Sequence, residues 1–169
     1  TPQGKFLFDF FISEGLDVLL LDCEGGQRAQ DLYKRLTMYR LRANVQISIE
    51  ENVPVYAIWN AKDIGLPDPR APELGNRSFE KPAEGEELPF STWDKCRIQR
   101  CIPDGSRDLI PESSTMDEGR MDQIGAISYE KGCYIGQELT ARMHYRGLGK
   151  KHLYAVSMPE GETFPKSGT

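Results

Sequence analysis

The first sixty residues follow the order strand, strand, helix, strand and strand, which restricts the fold more than any other feature of the chain. Residues 5–12 alternate between apolar and other side chains, as in a strand with one buried face. Glu14-Gly15 is a turn signal, and the apolar run Val18–Leu21 is typical of a strand that is buried on both faces. The sequence therefore predicts a β-hairpin at the start of the chain.

A helix and two further strands are predicted after this hairpin. The segment from about Gln27 to Arg42 has its apolar side chains on one helical stripe. Asp31 and Arg35 are spaced to form an ion pair on the exposed side of that helix. Alternation then predicts strands at 45–49 and 53–59. The whole order predicts an α+β fold with mainly antiparallel sheets and flanking helices.

The next thirty residues lose this regularity. Residues 60–90 contain five prolines and a cluster of acids, and they predict a long loop with one short strand near Arg77–Phe79. Ser91 and Asp94 fit an N-terminal capping signal for a helix of about 93–101. Loops of this length inside a domain are uncommon unless they are functional or mobile.

Three parts of the chain are distinguished on this basis. Residues 1–60 form the hairpin–helix–hairpin part, and residues 61–150 add the long loop, helices and a glycine–cysteine motif. Lys151–Met158 alternates again, so residues 151–169 are predicted to begin a further β unit. The chain starts without Met and leads at once into a strand, which suggests a piece of a longer protein.

Composition and charge exclude several classes of protein. The chain has 169 residues, of which 38% are hydrophobic and 28% charged, and no apolar run approaches the ~20 residues that cross a membrane. A net charge of −5 makes direct nucleic-acid binding unlikely as a general property. The four cysteines are scattered without a C-x-x-C pair, so no metal site or disulfide framework is predicted and a reducing compartment is favoured.

The most specific motif of the chain runs from Lys131 to Glu138. Two glycines bracket Cys133, and polar residues then open a helix that is predicted to extend from Gly136 to about Arg146. A helix N-terminus and the nearby Lys131 both favour a thiolate, so an exposed, acidified cysteine is predicted. The alternative is a tight turn that contains a buried, inert cysteine.

A basic segment follows this motif. No acid lies between Glu138 and Glu160, and Arg142 and Arg146 are one helical turn apart, a spacing that suits a carboxylate or a phosphate. The alternative is an ordinary solvated helix face followed by a basic loop. His144 lies too far along the helix for direct proton exchange with Cys133 and is predicted to be a surface residue.

Several segments carry a resemblance to a known family. They are Thr1–Phe6, Asp68–Arg70 with Leu74–Arg77, Arg97-Ile98 with Ile102–Gly105, and above all Lys131–Glu138. In this order they span nearly the whole chain and resemble the YgfZ-type folate-binding proteins, which belong to the superfamily of the glycine-cleavage aminomethyltransferase (T-protein). The Lys-Gly-Cys-Tyr-x-Gly-Gln-Glu block is highly specific.

The resemblance implies a fold, a cofactor and a role. It implies a T-protein-like folate-binding fold, with residues 151–169 as the start of a C-terminal β-barrel, and tetrahydrofolate as the cofactor. Family members support the assembly or repair of [4Fe–4S] clusters, and in bacteria they affect a tRNA-thiolating enzyme. The implied partners are therefore iron–sulfur client enzymes, cluster-assembly proteins and folate. The bacterial cytoplasm is the predicted location, with the mitochondrial matrix as the alternative.

The resemblance also implies site residues. Cys133 and Lys131 are the implied catalytic pair. The implied cofactor-binding residues are Gln99, Tyr134, Gln137, Glu138, Arg142 and Arg146, of which the two arginines rest on their helical spacing. Simple packing is the alternative role of Tyr134, and capping of the helix is that of Glu138. Gln99 stands where the T-protein has a glutamate, and an amide cannot supply a carboxylate. The glutamyl tail of a folate is the natural ligand of the two arginines, with RNA phosphate as the rival.

Three functions of different class stay open. The favoured one is a folate-binding accessory protein for iron–sulfur enzymes. A cluster normally takes four thiolates, so Cys133 would bridge two subunits or hold a transient cluster. The second is a folate-dependent methyl- or aminomethyltransferase, against which Gln99 counts. The third is an RNA-binding module, against which the absence of aromatic residues interleaved with the basic ones counts.

Overall fold

The computed structural model describes residues 1–61, 63–147 and 149–165. In chain order the elements are strands β1 Phe11–Gly15 and β2 Val18–Asp22, helix α1 Gln27–Tyr39, strands β3 Tyr56–Ile58, β4 Leu66–Pro67 and β5 Asn76–Ser78, and helices α2 Phe90–Gln99, α3 Gly105–Asp108 and α4 Gln137–Arg146. The architecture is α+β, and every strand pairing in the described residues is antiparallel. The T-protein-like fold stays a prediction.

A β-hairpin forms as predicted, but it is displaced along the chain: the strand predicted at 5–12 forms at Phe11–Gly15, so the predicted turn Glu14-Gly15 lies inside it. Its burial also differs from the prediction. β1 pairs with β2 from Phe11–Asp22 to Gly15–Val18, and the turn lies at Leu16-Asp17, with Asp17 at a φ of 59°. The prediction that Val18–Leu21 is buried on both faces is wrong, since Leu19 is 66% exposed. In the described part of the chain the hairpin is a sheet of two strands, which leaves its apolar side chains without a second layer.

Helix α1 agrees closely with its prediction. It ends at Tyr39 and buries Leu32 from the predicted apolar stripe. The Asp31–Arg35 ion pair is wrong, because Asp31 accepts a hydrogen bond from Gln27 and lies 3.6 Å from Lys34. The Arg35 guanidinium lies instead over the ring of Tyr39, at 5.5 Å from its centre.

A second sheet forms partly from the region that was predicted as a loop. Its order is β3-β5-β4, so two of its three strands come from residues 60–90. The predicted strand at 45–49 does not form, and the one at 53–59 is reduced to β3. Gly75, at a φ of +79°, brings the backbone against β3, where a Cβ would lie 2.4 Å from the carbonyl oxygen of Ile58.

Paired charges join this sheet to the hairpin. Asp68 is buried and accepts two hydrogen bonds from the Arg70 guanidinium, at 2.9 and 2.7 Å. Arg77 on β5 forms an ion pair with Asp22 at the end of β2 and stacks on the ring of Phe11 at 3.6 Å. Burial raises the pKa of Asp22 in spite of this guanidinium. These motif residues therefore hold the sheets together.

Helix α2 begins earlier than predicted and without a side-chain cap. Its N-cap residue is Pro89, so the capping role predicted for Ser91 and Asp94 is wrong. The Asp94 carboxylate instead accepts a hydrogen bond of 2.7 Å from Arg97, whose side chain is only 3% exposed. That guanidinium also binds Asp108 of α3, and it thereby ties the two helices together.

The short helix α3 is capped by Asp104. The Asp104 carboxylate accepts a hydrogen bond of 3.0 Å from the Ser106 backbone N–H and lies 2.6 Å from the Arg107 guanidinium. Burial by itself raises the pKa of Asp104, but the hydrogen bonds from Ser106 and the charge of Arg107 outweigh it, so this pKa is lowered. A lowered carboxyl pKa stabilises the fold above the pKa of the unfolded state, and this stability is lost as the pH falls through the folded-state pKa.

We expect Asp104→Asn to be less stable than the wild type at pH 7, by about 0.5–1 kcal/mol, because asparagine still caps but carries no charge. The difference should shrink as the pH is lowered to 2, because the wild-type carboxyl loses its charge as the pH falls through its folded-state pKa. Urea denaturation at both pH values measures it. Glu84→Gln, at an exposed carboxylate, is the matched control and should show no such trend. A difference that persists unchanged at pH 2 would contradict the charge argument.

An apolar cluster joins the N-terminal segment to residues that precede and follow the cysteine motif. Phe6, Leu109 and Met121 are buried there, and Leu153 packs against them. The Leu153 backbone N–H donates to Glu118 O at 2.9 Å, which fixes the segment after α4. No strand forms in the described residues 149–165, and the last four residues of the predicted 151–169 unit lie outside the described part. The β-barrel assignment stays a prediction.

Candidate functional site

The motif forms a loop, residues 129–136, that is fixed where it meets α4. Gly136 adopts a left-handed conformation at a φ of 87°, and a Cβ there would lie 2.5 Å from the Thr1 carbonyl oxygen. Its own carbonyl accepts hydrogen bonds from the Thr140 backbone N–H and hydroxyl, at 3.3 and 3.1 Å. The N-terminal turn thus packs against the start of this helix, and only glycine fits the contact.

Cys133 lies at the exposed part of this loop. Its thiol is free, and it has no hydrogen-bond partner among the described residues. The alternative of a buried cysteine in a turn is therefore wrong. Lys131 lies with its Nζ 4.7 Å from the centre of the Tyr134 ring, so its charge faces an aromatic ring in the same loop. The loop presents the sulfur to solvent.

One face of α4 carries four of the six implied cofactor-binding residues. An open groove of about 480 Å³ is lined by Gln137, Glu138, Ala141, Arg142, Tyr145 and Arg146. The four implied residues share this groove because they recur at helical spacing. Arg142 forms an ion pair with Glu138 one turn before it, while no carboxylate of the described residues lies within 4 Å of the Arg146 guanidinium.

The other two implied residues lie elsewhere. Gln99 is exposed at the end of α2 and lines neither this groove nor the enclosed cavity described next. Tyr134 is half-buried in the loop, and its hydroxyl is buried without a hydrogen-bond partner in the described part of the chain. The structure therefore brings together the polar residues of α4 and does not bring Gln99 to them.

A small enclosed cavity lies behind the loop. Its volume is about 10 Å³, and its lining includes Gly4, Asp117, Tyr129, Leu139 and Met143. This space holds at most a single water molecule. It is far too small for a pterin, so the described residues offer the open groove and not this cavity to a ligand of folate size.

Tyr129 and His144 contact each other beside this cavity. Their rings stack at 3.9 Å between centres and 18° between planes, and the His144 Nδ1 lies 3.8 Å from the Asp122 carboxylate. Burial, and after it the charge of Asp122, raises the pKa of Tyr129 to about 12. His144 is a surface residue as predicted, with a side chain that is 38% exposed, and it also contacts Tyr129 and Asp122.

Two residues of the site escaped sequence reasoning for different reasons. Tyr145 lines the groove and lies eight positions after Gln137, so helical periodicity alone would have identified it. Tyr129 lies fifteen positions before His144, and no local pattern links residues at that separation.

A metal-binding cluster and a membrane-spanning helix are both absent from the described residues. In that part of the chain no group of three or more His, Cys, Asp or Glu side chains could hold a metal ion. None of the helices seen in residues 1–61, 63–147 and 149–165 is long and apolar enough to cross a membrane.

The chain is homologous to iron–sulfur cluster assembly factors. The mitochondrial factor IBA57 of Mus musculus is 30% identical over 194 residues, and its human counterpart is 30% identical over 181 residues. These alignments cover 98% and 91% of this chain but 53% and 51% of the relatives. The IBA57 homolog of Coccidioides immitis is 31% identical over 193 residues, with 94% of the chain and 45% of the relative covered. No protein-family model matches the chain.

The likeness to these relatives supports part of what the sequence predicts. The chain spans about half the length of the curated relatives it matches. The resemblance to proteins of iron–sulfur cluster assembly is confirmed at that level, while the YgfZ type and folate binding stay predictions. All three relatives are mitochondrial by name, which supports the mitochondrial alternative for this chain. The bacterial cytoplasm gains no support.

Proposed function

We propose that this protein is an accessory factor for the assembly or repair of [4Fe–4S] clusters in client enzymes. Its homologues are assembly factors by name, and the homology extends over more than 90% of the chain. The observation that carries the proposal is the exposed Cys133, with a free thiol in a loop that ends at the left-handed Gly136. A free thiolate is the chemical group that ligates iron in such clusters.

The cluster is cargo in this proposal, and Cys133 supplies one of its ligands. A [4Fe–4S] cluster takes four thiolates, and the other cysteines of the chain lie in different elements: Cys23 follows β2, Cys96 lies in α2 and Cys101 follows that helix. The remaining ligands therefore come from a partner, either a cluster-assembly protein or the client enzyme. Direct contact with such a partner requires the exposure that Cys133 has.

Deletion of the gene that encodes this chain tests the proposal. Mitochondrial enzymes with [4Fe–4S] clusters should lose most of their activity in the deletion strain, and mitochondrial enzymes without clusters should keep theirs. Restoring the intact gene should recover the activity. Normal activity of the cluster enzymes after deletion would reject the proposed function.

Tetrahydrofolate is the second part of the proposal. Its glutamyl tail carries carboxylates, and the open α4 groove offers the Arg146 guanidinium beside Arg142. Tyr145 adds an aromatic face, with a side chain that is 71% exposed. The charge of the two arginines supports binding of the tail at this groove. The described residues around it supply no second wall for a pterin, because all of its lining residues belong to α4.

We expect tetrahydrofolate to bind with micromolar affinity in calorimetry, and Arg146→Ala to weaken it by about tenfold, the loss of one charged hydrogen bond of ~1.5 kcal/mol. Arg35→Ala removes a guanidinium from α1 and is the matched control, which should bind as the wild type does. Equal affinity of the Arg146→Ala variant would remove the groove from folate binding. No heat of binding for the wild type would reject the folate part and leave the assembly role untouched.

The competing functions have less support. Aminomethyl transfer needs a carboxylate near the one-carbon group, and Gln99 is an exposed amide outside the groove. RNA binding through the basic segment is weakened because Arg142, His144 and His152 each face a carboxylate of the chain itself. An effect on tRNA thiolation is proposed only as an indirect consequence, through an iron–sulfur client enzyme.

A further inference from the structure

The loop that carries Cys133 has two ends, and in the described residues backbone hydrogen bonds hold only the end that meets α4. At the α4 end, Gly136 packs on Thr1, and its carbonyl accepts two hydrogen bonds from Thr140. At the other end, the contacts of Tyr129 are made by its side chain: the ring stacks on His144 and meets Tyr145 edge-on at 5.9 Å. The position of the first loop residue therefore depends on an aromatic contact with α4.

The Tyr129–His144 stack is itself fixed on several sides. His144 faces Asp122 from the preceding segment at 3.8 Å, Tyr129 from the loop, and Tyr145 from its own helix at 5.0 Å. The two rings are nearly parallel, with 18° between their planes, so each covers a face of the other. His144 thus connects the cysteine loop, the segment before it and α4.

Movement of the Tyr129 ring changes the position of the Cys133 thiol because only a short piece of chain separates the two residues. Cys133 follows Tyr129 by four residues, which span at most about 14 Å of extended chain. With Gly136 fixed, release of Tyr129 frees the intervening residues, and the sulfur samples more positions. Cys133 has no hydrogen bond in the described residues to hold it in place otherwise.

We propose that His144 is a positioning residue for Cys133, which it places by stacking on Tyr129 at the start of the loop. This inference rests on the proposed function in one respect: it assumes that Cys133 takes part in cluster transfer. His144 touches neither cargo nor thiol and acts through Tyr129. An ordered thiol is needed because a cluster shared with a partner requires ligands in a fixed geometry.

A nitroxide spin label on Cys133 tests the positioning directly. Brief labelling modifies the exposed thiol first, and peptide mass spectrometry verifies the site. His144→Ala should shorten the rotational correlation time of the label by about twofold or more, because the loop gains freedom on the nanosecond timescale. His144→Phe keeps a stacking ring and should restore the wild-type spectrum. Arg146→Ala, two residues along the same helix, is the control and should leave the spectrum unchanged.

A second readout connects the stack to function. In the deletion strain, His144→Ala should support less cluster-enzyme activity than the wild type at equal protein level, and His144→Phe should restore it. An unchanged label spectrum in His144→Ala, or failure of His144→Phe to restore it, would overturn the proposal. The spin-label result needs no client enzyme, so it stands or falls separately from the role in cluster assembly, which the gene deletion tests.

Discussion

Cys133→Ser should reduce the activity of mitochondrial [4Fe–4S] enzymes to the level of the gene deletion while the protein stays folded. A serine hydroxyl does not replace a thiolate as an iron ligand in cluster transfer. The fold should tolerate the change, because the side chain is exposed and makes no hydrogen bond in the described residues, so its stability should change by less than about 0.5 kcal/mol. Enzyme assays in the complemented strain, with urea denaturation of the purified variant, measure both results.

Cys23→Ser is the matched control for this experiment. Its thiol is half-buried, donates to the Glu24 carbonyl oxygen at 3.4 Å, and has a pKa that burial raises, so it is the less reactive sulfur. The strain with Cys23→Ser should show normal cluster-enzyme activity. Full activity of the Cys133→Ser strain would show that the thiol takes no part, and the accessory role would then have to rest on other residues.

Local signals explain why the helix of the motif was predictable. Gly136 and Gly147 both adopt left-handed conformations at the two ends of α4, and glycine is the residue that enters this region without strain. Between them, helical spacing placed Arg142 and Arg146 on one face, and the groove that both residues line confirms that placement. The end of α4 and the shared face of its two arginines, which depend on neighbours in sequence, were therefore predicted correctly.

Features that depend on residues distant in sequence were not predicted correctly. The alternation at 45–49 predicted a strand, but a strand forms only beside a partner, and none pairs with it in the described residues. The apolar run in β2 predicted burial, which depends on a covering layer and not on the run itself. The stack of Tyr129 on His144 likewise joins a loop to a helix fifteen residues later, at a separation for which no periodicity exists.

Arg97 joins α2 to α3 through its guanidinium. Its side chain is 3% exposed, and it binds Asp94, Asp108 and the Ile102 carbonyl oxygen, the last at 3.2 Å. The two carboxylates are themselves more than two-thirds buried. Removing the guanidinium leaves the two carboxylates without their cationic partner in a region that water reaches poorly. The resulting loss of stability exceeds the net stabilisation that the intact ion pairs provide.

Arg97→Ala should therefore lower the free energy of unfolding by about 3 kcal/mol, as expected when one partner of a buried ion pair is removed. Arg97→Lys should lie in between, because one ammonium cannot bind two carboxylates and a carbonyl in the fixed geometry of a guanidinium. Arg100→Ala, three residues along the same helix, removes a more exposed arginine that lies 3.8 Å from Glu73 and should cost less than about 1 kcal/mol. Urea denaturation followed by circular dichroism measures all three. Equal stability of the Arg97→Ala and Arg100→Ala variants would show that the α2–α3 contact depends on apolar packing and not on the guanidinium.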